Sequence, residues 1–109
     1  MSTLSTHVLD TVLGLPAKGV KVTLRREGVL LGADYTDDEG RIREFRSTGA
    51  PLAAGSYRLS YSVAEYWKAA GRETFYPEIV INFTMDLSTG HYHVPLLLSP
   101  FGYTTYRGS

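Results

Sequence analysis

The chain contains three histidines, and two of them, His91 and His93, are separated by a single residue. In an extended strand, residues two apart leave the same face of the backbone. The segment His91-Tyr92-His93-Val94-Pro95-Leu96-Leu97-Leu98 therefore places both imidazoles on one surface, with Tyr92, Val94 and Leu96 on the other. Imidazole exchanges protons near neutral pH, so the pair is a candidate for acid–base work. The same spacing also fits a plain surface pair or the beginning of a metal-binding face. No third ligand follows at a recognisable metal-site spacing, and neither a metal nor a cofactor is expected.

His7 lies in Leu4-Ser5-Thr6-His7-Val8-Leu9-Asp10, where alternation with Val8 facing inward sends His7 away from the core. Arg41 follows the turn-rich run Thr36-Asp37-Asp38-Glu39-Gly40, and its planar guanidinium suits a flat, oxygen-rich ligand. Taken singly, each is better explained as a solvated side chain. The terminal run Tyr106-Arg107-Gly108-Ser109 brings a hydroxyl, a guanidinium, backbone donors and a carboxylate within short reach of one another. The alternative for these residues is an edge strand ending with the chain.

The elements that must position these groups are mainly β. Val20-Lys21-Val22-Thr23-Leu24-Arg25 alternates apolar and polar residues, as do Tyr57–Val63 and Ile79–Met85, so each offers one face to a sandwich interior. The Thr36–Gly40 run reads as a hairpin between Val29–Tyr35 and a short strand starting at Arg41. Ala64-Glu65-Tyr66-Trp67-Lys68-Ala69-Ala70 breaks the two-residue period and, with Gly71 behind it, reads as one short helix. The expected architecture is a two-sheet β-sandwich with one helix, in a single domain over residues 1–109. No repeat or low-complexity linker interrupts it.

Composition narrows the partners. The chain has 109 residues, 43% hydrophobic and 20% charged, with formal net charge zero. Without a basic excess there is no footprint for nucleic acid, and without a cationic amphipathic stretch there is none for a membrane surface. The absence of cysteine excludes disulfides, a thiolate nucleophile and zinc–cysteine ligation. No apolar run approaches the roughly 20 residues of a membrane span. The start Met1-Ser2-Thr3-Leu4 does not resemble a signal peptide, so a cytoplasmic location is expected.

Three segments together resemble the 5-hydroxyisourate hydrolases of the transthyretin-like family: Leu4–Asp10, His91–Pro100 and, most specifically, Tyr106–Ser109. Val8-Leu9-Asp10, Gly14 with Pro16-Ala17, Tyr66-Trp67-Lys68-Ala69 and Leu97-Leu98-Ser99-Pro100 also look like the matching parts of the hormone carrier transthyretin. The resemblance implies a transthyretin-like (prealbumin-like) sandwich of about eight strands, assembled as a homotetramer with sites between subunits along a channel. It implies a hydrolase of urate breakdown, with His7, Arg41, His93 and Ser109 as catalytic residues and Tyr106, Arg107 and Gly108 binding substrate. His91 shares the face of His93 without an implied role. The carrier branch resembles the framework and lacks both the paired histidines and the Tyr-Arg-Gly-Ser ending. The principal alternative is accordingly a carrier of an aromatic small molecule, followed by a sandwich used only for protein contacts.

Overall fold

The computed structural model describes residues 2–45, 52–86 and 90–108. Its strands are β1 (Thr3–Asp10), β2 (Leu15–Pro16), β3 (Lys21–Arg26), β4 (Val29–Tyr35), β5 (Arg41–Ile42), β6 (Gly55–Ser62), β7 (Glu78–Met85), β8 (His91–Ser99) and β9 (Gly102–Thr105), with helix α1 (Ala64–Ala69) between β6 and β7. The strands form two sheets. One runs β4-β3-β6-β7; the other runs β2-β1-β8-β9, with β5 also paired to β1. The mainly β sandwich with one short helix read from the alternation is the fold observed. The segment it missed is β2, a two-residue strand in which Pro16 pairs with Leu9.

Alternation works as the pattern requires. Leu4 and Val8 from β1, Val22 and Leu24 from β3, Leu59 and Tyr61 from β6, and Val94, Leu96 and Leu98 from β8 all belong to one buried cluster between the sheets. Trp67 of α1 is fully buried in that cluster. Burying each such side chain is worth roughly 1.5–3 kcal/mol, so the inward parity of each strand is fixed by its core face and the outward parity follows from it. Asp10 ends β1 by accepting the Val12 and Leu13 backbone N–H groups at 2.9 and 3.1 Å and the Tyr66 hydroxyl at 2.6 Å. That carboxylate ties the end of β1 to the helix.

One local reading needs correction. The Thr36–Gly40 run is not the tip of a hairpin, because β4 pairs with β3 whereas β5 pairs with β1 in the other sheet. The turn residues are genuine, but tertiary contacts decide where they lead. The Thr36 hydroxyl donates to the Ala17 carbonyl at 2.7 Å and accepts from the Val20 N–H at 2.9 Å, while the Gly40 carbonyl accepts from the Val8 N–H at 2.8 Å. The run is thus a crossover between sheets. Of the apolar residues on the outward parity of β1 and β8, Leu9 and Leu97 are half-buried and Pro95 is buried within the single chain.

Candidate active site

β1 and β8 lie side by side and parallel, with Thr3 opposite His91, Ser5 opposite His93 and His7 opposite Pro95. On the other edge of β1, His7 is paired with Arg41 of β5. Register alone therefore gathers His7, Arg41, His91 and His93 onto the outer face of one sheet, as the parity of the two histidine segments requires.

The crossover delivers Arg41 in that register. The Asp37 carboxylate accepts the Glu39 and Arg41 backbone N–H groups, each at 2.9 Å, and the Asp37 N–H donates to the Arg41 carbonyl at 2.9 Å. Gly40 has φ of 73°, and a Cβ there would collide with the Val8 carbonyl oxygen and crowd Pro16 and Ala17, so only glycine fits. The same turn orients the first histidine: His7 Nε2–H donates to the Glu39 carbonyl at 2.9 Å.

Both half-buried imidazoles have pKa values below the ordinary one. For His93 the main cause is burial, followed by the positive charge of Arg41 and by His7 and His91. For His7 burial again leads and Arg41 adds to it, against the opposing pull of the Glu39 carbonyl and of the Asp37 and Glu39 carboxylates. The rings are consequently neutral near pH 7 and able to accept protons. A charge on His7 disfavours one on His93.

The tail reaches the same place. Gly108 forms a bridge to His93, its N–H donating to the His93 carbonyl at 2.8 Å. A Cβ on Gly108 would stand 2.6 Å from Cδ2 of the imidazole, so the glycine lets the backbone lie against the ring. Tyr106 is exposed and, with His93, Ile81, Phe83 and Thr105, lines an apolar recess of about 140 Å³. Arg107 and Tyr92 line the same recess, with the guanidinium 4.9 Å from the centre of the Tyr92 ring. Ser109 lies outside the described residues. On the other flank, Ser5, Thr6, Arg41 and His91 border a second small cleft of about 180 Å³.

Sequence reasoning missed three participants. Ser5 and Thr3 share the outward parity of His7 and hydrogen-bond the paired histidines, with Ser5 Oγ 2.7 Å from His93 Nδ1. Period two already put them on that face. The Glu39 carbonyl, being backbone, carried no such signal. Among the described residues, no three His, Cys, Asp or Glu side chains converge as a metal site would require.

A family model described as the HIUase/Transthyretin family matches residues 4–108. The chain belongs to that family. Within it, the chain is 44% identical over 114 residues to the 5-hydroxyisourate hydrolase of Mus musculus, with 99% of this chain and 96% of the relative covered. The solved 5-hydroxyisourate hydrolase of Klebsiella pneumoniae superposes with a TM-score of 0.90 at 46% identity, covering 100% of this chain and 94% of that one. Transthyretin from Sparus aurata superposes nearly as well, TM-score 0.87, at 29% identity over 96% of this chain and 95% of its own. The framework is common to both kinds of HIUase/Transthyretin protein, whereas sequence identity is markedly higher to the hydrolases.

Proposed function

We propose that this chain, acting as one domain, hydrolyses 5-hydroxyisourate to 2-oxo-4-hydroxy-4-carboxy-5-ureidoimidazoline in urate breakdown. The observation that carries this reading is the convergence of His7, Arg41, His93 and Gly108 on one outer face. A ring amide is opened by water, which needs a proton acceptor, a cation or donor for the oxyanion, and a proton for the departing nitrogen. The two neutral imidazoles share the proton transfers, and Arg41 holds a substrate oxygen and the negative charge that develops on it. Tyr106 borders the recess beside His93, and Gly108 lets the tail lie against that ring. Arg107 holds the tail against Tyr92, and Ser109 hydrogen-bonds substrate or water.

The active species in this proposal is a homotetramer, with each site shared between subunits. The clefts beside His93 and His91 are small and open within one chain, as expected of a pocket that neighbouring chains complete. Apolar side chains collect at one end of the same sheet: Leu15 on β2 is 56% exposed, Tyr103 on β9 43%, and Phe101 beside it 72%. No helix among the described residues is long and apolar enough to cross a membrane.

The test is the ultraviolet decay of freshly made 5-hydroxyisourate with and without protein, on samples first sized by sedimentation. Decay well above the spontaneous rate is expected from the tetramer. Unchanged decay in a folded tetramer would overturn the hydrolase assignment, and saturable binding without acceleration would leave a carrier.

A further inference from the structure

The two hydroxyls beneath the histidine pair form a connected series with it. Thr3 Oγ1 is 3.4 Å from the Gly90 carbonyl oxygen and 2.5 Å from His91 Nδ1. Ser5 Oγ is 2.9 Å from His91 Nε2 and 2.7 Å from His93 Nδ1. Each hydroxyl has one proton and each neutral imidazole one N–H, so fixing the direction at one end fixes all the others. Two directions are self-consistent, and the one that leaves a basic nitrogen free on His93 begins with the Thr3 hydroxyl donating to the Gly90 carbonyl rather than to His91 Nδ1. Thr3 then accepts from His91 Nδ1–H, His91 Nε2 is left with a lone pair, and the Ser5 hydroxyl donates to it. Having used its proton, Ser5 can only accept, and the group it accepts from is His93 Nδ1–H.

We propose that Thr3, His91 and Ser5 are positioning residues that hold His93 as the Nδ1–H tautomer, leaving Nε2 as the ring's proton acceptor toward water or substrate. Ser5 is 8% exposed, so bulk water does not readily take its place. In the step this serves, a proton from the attacking water goes to His93 Nε2 as the water oxygen bonds to the ring carbonyl carbon. The imidazolium keeps its Nδ1–H on Ser5, and Nε2–H is available to the departing nitrogen as the C–N bond breaks. Both the direction of the series and the step rest on the hydrolase reading.

Two measurements test it. In protein labelled with ¹⁵N at histidine, the His93 ring signals should show a protonated Nδ1 and an unprotonated Nε2 at neutral pH; the reverse assignment overturns the proposal in the wild-type chain, whatever the variants do. In kinetics, Ser5→Ala should lower kcat about 10- to 100-fold with KM little changed, as loss of an orienting hydrogen bond typically does, and Ser5→Thr should restore most of it. A folded Ser5→Ala protein with wild-type kcat overturns the positioning role. Failure of the wild-type chain to hydrolyse 5-hydroxyisourate would remove the reaction step and leave the labelled spectrum to decide the tautomer.

Discussion

The two sheets present outward faces made by the same two-residue alternation, and the roomier depression is on the sheet without the histidines. There Arg25, Tyr57, Arg58, Asn82 and Phe83 border about 490 Å³, and the outward side chains are solvated, with Arg58 Nε donating to Asn82 Oδ1 at 3.0 Å. On the β1/β8 face the cleft beside Ser5, Arg41 and His91 is smaller, about 180 Å³, yet two imidazoles and a guanidinium are close enough to affect protonation there. The difference comes from register, which sets histidines from opposite ends of the chain on adjacent strands. Space is secondary.

The largest expected contrast comes from one substitution on each face. His93→Ala should lower kcat/KM about 10²–10⁴-fold, the usual cost of losing an acid–base group, while thermal melting stays close to wild type because the core face of β8 is untouched. Arg58→Ala should leave turnover unchanged. Parallel steady-state kinetics and melting curves check both, and equal losses in the two variants would erase the distinction between the faces.

Glycines in the tail give a narrower contrast. Gly108→Ala pushes a methyl group into the His93 ring and should cost on the order of 10²-fold in kcat/KM, the scale of a displacement of about 1 Å at a reacting group. Gly102→Ala, whose added Cβ would sit 3.6 Å from Ser99 Oγ in ordinary contact, should behave as wild type. Measuring both on folded protein separates a tail that shapes the site from one that merely ends a strand.

Smaller effects concern pH. Burial and Arg41 lower both histidine pKa values, so the bases stay neutral, and activity persists, somewhat below the ordinary imidazole value of about 6.5. Removing the guanidinium lets those values rise, and Arg41→Gln should move the acid limb of the kcat/KM profile to higher pH as well as lowering its plateau. An unmoved limb would show that the guanidinium does not act on the bases. The smallest effect is on stability. With folded values below the unfolded one, the unfolded chain binds more protons at mildly acid pH, so this contribution is complete above about 6.5 and declines as pH falls through the lowered values. Urea midpoints should fall modestly over that window in wild type and less in His7→Gln/His93→Gln.

Much of this arrangement was legible in the residues. The parity of Val8 and Val94 placed His7 and His93 outside the core, and the break in alternation at Ala64–Ala70 located the helix, whose last turn closes with the Gly71 N–H donating to the Lys68 carbonyl. What could not be read was decided by distant contacts. The Thr36–Gly40 turn has hairpin chemistry, but the Gly40 carbonyl bonded to Val8 sends the chain to the other sheet. Ser5 has the right parity and the polarity of a solvated residue, and only the parallel pairing with β8 places it under two imidazoles. The resemblance put Gly108 at the site, but why glycine is needed there could not be read, because its constraint is a ring fifteen positions earlier in the chain.

The pairing of β1 with β8 also has a consequence in time. Ser5 and His93 are separated by 88 positions, so β1 leaves the ribosome long before its parallel neighbour exists. At the usual 5–20 residues per second this interval is roughly 4–18 s, far longer than a short chain needs to collapse. During it β1 lacks the partner along its whole length, and the apolar residues meant to meet β8 have no native place to go. Closure of the five-stranded sheet is therefore a late, non-local event with a slow approach. Competence for proton transfer arrives with that closure, so a chain released early from synthesis would carry His7 and Arg41, paired with each other, but not His93.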